Sequence, residues 1–185
     1  MKTILEKTLK AFVLLLCFIA MIAVTRYLYL EEQGNFHAIT YDEAYRSAQL
    51  DQDELEYYLT KFKIRSIINL RGKSASAWYL TETEISKNMN VRHFDFKLKA
   101  DRSPPARRID ELLNLFVSAP RPVLIHCKAG ADRSGLASAL WKLVIDKQPK
   151  SLAKKQLSLR YGHVPFGPTQ VIDRFFEEWT GTKNN

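Results

Sequence analysis

Hydrophobic positions divide the chain into one unbroken apolar run and a series of short alternating or periodic segments. Ala11 to Val24 reads AFVLLLCFIAMIAV, fourteen residues without a charge. Continued through Leu30 the run reaches twenty residues, about the length that one bilayer crossing needs. Arg26 lies near one end, where its head can extend to water, and Tyr27 and Tyr29 suit an interfacial level. Beyond residue 42 the pattern changes. Short stretches near 43–47, 64–70, 91–98 and 122–126 read as strands, the last of them a β-branched-rich apolar run at Val123-Leu124-Ile125. Between and after them, apolar residues recur at helical spacing. One such helix runs from Asp51 to Lys61 with Leu55, Tyr58 and Leu59 inward, and another covers Thr81 to Lys87. A third opens at Pro105, puts Ile109, Leu112, Leu113, Phe116 and Val117 on one face, and stops near Pro120. Leu136 to Val144, Ser151 to Tyr161 and Thr169 to Trp179 complete the set. Strands alternating with helices predict an α/β domain of three layers, with a mostly parallel central sheet flanked by helices. In such a domain the functional site lies at the C-terminal end of a strand.

Composition narrows the class. With 185 residues, 46% of them apolar and 26% charged, the chain suits one globular domain behind an anchor. Two cysteines exclude a disulfide scaffold and a four-cysteine zinc site. The predicted organisation is a cytoplasmic N-terminus over 1–10, a transmembrane anchor (or signal peptide) over 11–30, and a soluble domain over 31–185. Lys2, Lys7 and Lys10 precede the span, whereas Glu31 and Glu32 follow it, so the positive-inside rule sends the domain across. The protein is then single-pass, with its domain on the non-cytoplasmic, periplasmic side. The alternative is export after signal cleavage, although no Ala-x-Ala site follows the run and Leu14-Leu15-Leu16 before Cys17 fits a lipoprotein signal poorly. The net charge is +8, of which +3 falls on the first thirty residues, leaving +5 on the domain. A basic domain held at a membrane suits anionic substrates or headgroups. No nucleic-acid-binding motif accompanies the charge, so nucleic acid is not an expected partner.

Cys127 is the only thiol in the soluble part, and its surroundings set it apart from a buried core cysteine. Arg121 to Gly135 reads RPVLIHCKAGADRSG: a buried strand at Val123-Leu124-Ile125, a loop of small residues, then a helix. A strand–loop–helix unit of this kind turns backbone N–H groups toward one point, and the helix N-terminus adds positive potential. Cys127 lies at the base of that cradle, where the same field favours the thiolate. Arg133 can fold its planar fork over a bound group and grip two oxygens. Thiolate, nest and guanidinium make a site for a tetrahedral oxyanion open to in-line attack by sulfur.

The stretch resembles the His-Cys-x-x-Gly-x-x-Arg-Ser/Thr signature of the cysteine-dependent tyrosine and dual-specificity phosphatases, matching every defining position. Tyr45-Arg46-Ser47-Ala48-Gln49-Leu50 is similar to the opening segment of the compact atypical members, and Ile64 to Arg71 resembles their IKTIINLR strand. The resemblance implies a phosphoric monoester hydrolase needing no cofactor or metal. It makes Cys127 the nucleophile that forms a phosphocysteine. Arg133 and the amides of Lys128, Ala129, Gly130, Ala131, Asp132 and Arg133 bind the phosphoryl oxygens. Ser134 helps the sulfur leave, alongside the helix-capping role its position also suits. His126 orients the loop or simply fills the core.

A general acid must protonate the leaving oxygen, and the family places an Asp for this on a separate upstream loop. Asp101, in the turn-rich Ala100-Asp101-Arg102-Ser103-Pro104-Pro105, is the preferred candidate, because a mobile loop suits an acid that closes over substrate. Asp95 is the rival, inside the strand-like VRHFDFKL and 32 residues before Cys127. That interval is closer to the family's usual one. Asp132 suits loop structure or substrate contact. Lys128, Lys97, Lys99, Arg102, Arg107 and Arg108 form a basic rim that suits a phosphorylated protein or an anionic lipid or inositol phosphate, and no phosphotyrosine-recognition loop stands out. The membrane is a partner through the N-terminal helix. A non-catalytic phosphate-binding module, a sulfurtransferase and an arsenate reductase are the competing classes. Intact Cys127, Arg133 and Ser134, and the lack of additional thiols, speak against them. His37, His93, His126 and His163 show no metal-ligand spacing.

Overall fold

The computed structural model describes residues 2–181. The chain divides after Gln33 into two compact units. The first is the helix α1, Lys2–Glu32, which starts before and ends beyond the predicted run. Phe12, Val13, Leu14, Leu15 and Leu16 are all exposed, although five successive residues point to every side of a helix. A helix apolar all round belongs in a protein core or a bilayer. The window Glu6–Thr25 has a mean hydropathy of 2.4 and is long and apolar enough to cross a membrane. A signal sequence has the same character.

The second unit, from Gly34 onward, is built on five strands: β1 His37–Thr40, β2 Ala44–Ser47, β3 Ser66–Asn69, β4 Arg92–Asp95 and β5 Val123–His126. Their order across the sheet is β1-β2-β5-β3-β4. β1 runs antiparallel to β2, and all other neighbours are parallel. β5 is therefore central, with Leu124 opposite Tyr45 on one side and Ile67 on the other. The alternation of strand side chains divides the core into two layers. Val123, Ile125 and Ile68 pack with Ile109, Leu112 and Phe116 of α4 (Ala106–Ser118), Leu136, Leu140 and Trp141 of α5 (Asp132–Val144), and Ile172 and Phe176 of α7 (Gln170–Glu178). Leu124, Ile67 and Tyr45 pack on the opposite face with Leu55 and Leu59 of α2 (Gln52–Lys61) and Ile85 of α3 (Ala77–Asn88). Each such aliphatic side chain contributes about 1.5–3 kcal/mol by leaving water. This is the three-layer arrangement expected from the alternating elements.

Three details differ from the sequence reading. β1 is an additional short edge strand, joined to β2 through Asp42 at φ +60°. The strand expected over 91–98 stops pairing regularly at Asp95, although Phe96 and Leu98 stay buried and their N–H groups still reach Asn69 O and Leu70 O. The helix expected over 151–161 is broken into α6, Lys150–Ala153, and two 3-10 turns, Lys154–Gln156 and Leu159–Tyr161. The break has a physical cause. The backbone carbonyl of Gln156 accepts a hydrogen bond from the buried Arg46 at 2.8 Å, rather than from a following helical N–H.

Candidate active site

β5 ends at His126 and delivers Cys127 to the C-terminal edge of the sheet, where it is 2% exposed. α5 begins at Asp132, so residues 127–131 form the connecting loop. Four consecutive carbonyls of this stretch are each held from outside. Lys128 O accepts from Gln49 N at 3.1 Å and Ala129 O from Asn35 Nδ2 at 2.9 Å. Gly130 O and Ala131 O both accept from Arg46 Nη2, at 2.7 and 3.1 Å. A trans peptide points its N–H opposite to its C=O. Fixing these carbonyls outward therefore turns the N–H groups of residues 129–132 away from Gln49, Asn35 and Arg46, the sense that an anion nest requires. Gly130 is necessary to this path. It sits at φ +70°, and a Cβ there would come within 2.7 Å of Ala48 N and 2.8 Å of Ser47 C.

Arg46 is the keystone that sequence reading did not assign. It sits on β2 with no exposed surface, donates through Nη1 to Gln156 O and Oε1, and stacks its guanidinium 4.1 Å from the Tyr161 ring. Burial pushes its guanidinium down to about 10, against the opposing pull of Tyr161, Cys127 and Asp132. Asn35 supports the loop in the same way, reaching Tyr161 O as well as Ala129 O. The signal for Arg46 lay in its setting: a charged residue inside a short interior strand must find partners, and Arg46 finds them through Nη1 and Nη2.

The remaining sequence candidates fall around this loop. Arg133 lies in the first turn of α5, and its Nη1 donates to Leu70 O at 3.4 Å. Ser134 is fully buried and its hydroxyl donates to Ser47 O at 3.3 Å; the cap position of α5 belongs to Ala131. Lys128 and Ala129 are exposed at the mouth. Asp132 meets the buried His163, whose Nδ1 lies 2.7 Å from Asp132 Oδ1 and whose Nε2 lies 2.9 Å from Asp173 Oδ2. Burial disfavours the imidazolium, but the two carboxylates outweigh it and raise His163 above its ordinary value. His126 is 1% exposed, with Nε2 3.2 Å from Glu82 Oε1, an ion-pair distance outside hydrogen-bonding direction. Glu82 also takes His93 Nε2 at 2.8 Å and Gln49 Nε2 at 2.7 Å. Burial pushes its carboxyl up, yet His126, His93 and Gln49 together hold it well below the usual carboxylate range.

The two candidate acids stand in opposite surroundings. Asp95 is a double acceptor, from Asn69 Nδ2 at 3.0 Å and from the Tyr79 hydroxyl at 2.7 Å, which drives Tyr79 up to about 12. Asp101 is 61% exposed, and among the described residues its one ion-pair partner is Arg102, whose Nε lies at 3.7 Å. Among the described residues, no group of three or more His, Cys, Asp or Glu side chains is placed to hold a metal ion.

The sequence model of the family described as "DSP-PTPase phosphatase fused to NAD+ Kinase" matches residues 27–164. The chain belongs to this dual-specificity phosphatase family. It is accordingly an enzyme, a phosphoric monoester hydrolase. The match takes in all five strands, the loop and His163, and leaves α7 outside. No curated protein matches the sequence. Among solved structures, TpbA of P. aeruginosa in complex with pTyr is similar at 20% identity and a TM-score of 0.65, over 80% of this chain and 85% of that one. The core catalytic domain of the PP-IP phosphatase SIW14 from S. cerevisiae, in complex with citrate, is similar at 17% identity and a TM-score of 0.63, over 78% and 84%. These likenesses are of fold, and they agree with the observed sheet and helix layers.

Proposed function

We propose that this phosphatase is tethered to a membrane by α1 and hydrolyses phosphomonoesters of proteins or anionic lipids through a phosphocysteine on Cys127. The observation that supports the reading is the set of outward-held carbonyls at 128–131, which leaves the N–H groups of 129–132 facing the other way, as a phosphoryl cradle next to Cys127 needs. In the first step the Cys127 thiolate attacks phosphorus in line. The S–P bond forms as the bond to the leaving oxygen breaks, and that oxygen takes its electron pair and a proton from Asp101. In the second step water attacks phosphorus and gives its proton to Asp101. The S–P bond breaks, releasing phosphate and the thiolate. Arg133 and the amides of 128–133 bind the non-bridging oxygens throughout. Ser134 is assigned to the departing sulfur and His126 to orienting the loop. Asp101 is preferred because both oxygens of Asp95 already accept hydrogen bonds.

The positive flank of α1 keeps the N-terminus in the cytoplasm and the catalytic unit on the far side. A second reading, a lipid or inositol-phosphate phosphatase specifically, draws on Lys97, Lys99 and Arg102, exposed in the same segment as Asp101. The neighbours divide the same way, one holding pTyr and the other being a PP-IP phosphatase. The test is phosphate release by the full chain in detergent, from a phosphotyrosine peptide and from an anionic phosphomonoester lipid in mixed micelles. Cys127→Ser serves as the blank. Release that requires Cys127 is expected, and preference for the lipid selects the second reading. Equal release by Cys127→Ser overturns the mechanism.

A further inference from the structure

Arg71 is a cation that the phosphatase mechanism leaves unused. It follows Leu70 just past the end of β3, and two contacts place that end at the loop: Leu70 N donates to His126 O at 2.9 Å, and Leu70 O accepts from Arg133 Nη1. The Arg71 backbone is pinned by Asn69 Oδ1, which accepts from Arg71 N at 2.8 Å. Its guanidinium is fixed on two sides by groups without charge. The Trp78 ring lies 3.5 Å from the guanidinium carbon, and Gln49 Oε1 accepts from Nη1 at 2.9 Å. The sense of the Gln49 amide is set in turn, because its Nε2 donates to the buried Glu82 carboxylate and its own backbone N–H holds Lys128 O at the mouth of the loop. Glu82 thus orients an amide whose oxygen faces Arg71.

The result is a half-buried guanidinium with no carboxylate in salt-bridge reach among the described residues and one of its five donors engaged. It stands close enough to Arg133 that, after burial, the neighbouring positive charge is the next cause lowering it, while the Glu82 carboxylate beyond Gln49 and, after it, Cys127 act in the opposite sense. Two fixed guanidinium groups at one cradle repel each other. A single phosphoryl group is already matched by Arg133 and the loop N–H groups, so the second cation has capacity for another negative group. Trp78 supplies a flat platform that keeps the fork from swinging out to solvent, which lowers the entropy lost on binding.

We propose that Arg71, held by Trp78 and by the Glu82–Gln49 pair, is a second anion site that selects substrates carrying another phosphoryl group close to the one being cleaved. The inference rests on the phosphatase reading of the Cys127 loop and adds a specificity residue to it. The test is calorimetric titration of inorganic phosphate and inorganic pyrophosphate into the full chain in detergent, in a Cys127→Ser background that removes turnover. Pyrophosphate is expected to bind at least tenfold tighter than phosphate. Arg71→Gln should cut that advantage to threefold or less, Arg71→Lys should keep part of it, and Trp78→Leu should fall between them. Arg65→Gln, which removes the same charge at the opposite end of β3, should leave the advantage intact. An advantage that survives Arg71→Gln, or falls equally in Arg65→Gln, overturns the proposal while the loop's phosphate affinity stands. Failure of both anions to bind with Arg71 present overturns the phosphatase reading itself.

Discussion

The loop at 127–133 and the segment at 96–105 serve one proposed reaction but are held in opposite ways. Four successive carbonyls of the loop are tied by Gln49, Asn35 and Arg46, and Arg46 has no exposed surface. The 96–105 segment is pinned by buried Phe96, Leu98 and Pro104, and between them Asp101 stands in solvent beside Arg102. Charge that develops at a fixed phosphorus calls for donors already in place, so the cradle is rigid. A proton donor has to meet leaving groups of differing shape, so its carrier is free to adjust. The energetic consequences differ too. Stripping a partner from the loop leaves a buried polar group unsatisfied, at about 1–3 kcal/mol each. Breaking the exposed Asp101–Arg102 pair costs about 0–1 kcal/mol.

Substitutions can break this contrast, beginning with the most severe. Cys127→Ser should reduce phosphate release by about 10⁴-fold or more with the melting temperature nearly unchanged, since the proposed nucleophile is lost and the scaffold kept. Arg46→Met should lower both properties at once. Two loop carbonyls and the Gln156 side chain and carbonyl lose their donor, so urea unfolding should show a loss of about 3 kcal/mol or more. Activity should fall about 100-fold as the N–H groups drift from the phosphoryl oxygens. An Arg46→Met enzyme of normal activity would mean that the loop keeps its shape unaided.

Asp101→Asn should leave stability within about 0.5 kcal/mol. It should slow an alkyl phosphate about 10²-fold or more, and p-nitrophenyl phosphate, whose leaving group needs little protonation, much less. Asp95→Asn should show the reverse profile, with stability falling through the Tyr79 and Asn69 contacts and no dependence on the leaving group. The opposite pattern would move the acid to Asp95.

The smallest effect concerns His163, raised by Asp132 and Asp173. A raised folded value means that its ion pairs stabilise fully below the unfolded value of about 6.5 and lose that effect as pH rises through the folded value. The stability gap between wild type and His163→Gln should therefore be widest near pH 6 and shrink toward pH 9. A gap independent of pH would show that His163 acts by packing alone.

The loop was legible because its determinants are contiguous: the apolar strand, the small residues and Arg133 lie within Val123 to Ser134. The strands and most helices were legible from period and from breakers such as Pro105 and Pro120. Arg46 was visible only as part of a resembling segment, because its partners lie 84 to 110 residues away and meet it through the order of the parallel strands. The same holds for Asn35 on Ala129 and for His163 between Asp132 and Asp173. No periodicity encodes such pairings; they exist once β2, β5 and β3 lie side by side. The helix expected over 151–161 failed for a related reason, since a distant arginine claimed the Gln156 carbonyl.

The central claim is that Cys127, in its externally braced loop, takes the phosphoryl group from substrate. Rapid acid quench of the full chain during turnover of p-nitrophenyl phosphate, followed by mass analysis of the Cys127 peptide, tests it directly. The account predicts that peptide heavier by one phosphoryl group, at a level that rises in Asp101→Asn, where the second step lacks its base. Steady turnover with the Cys127 peptide unmodified at every quench time would contradict it.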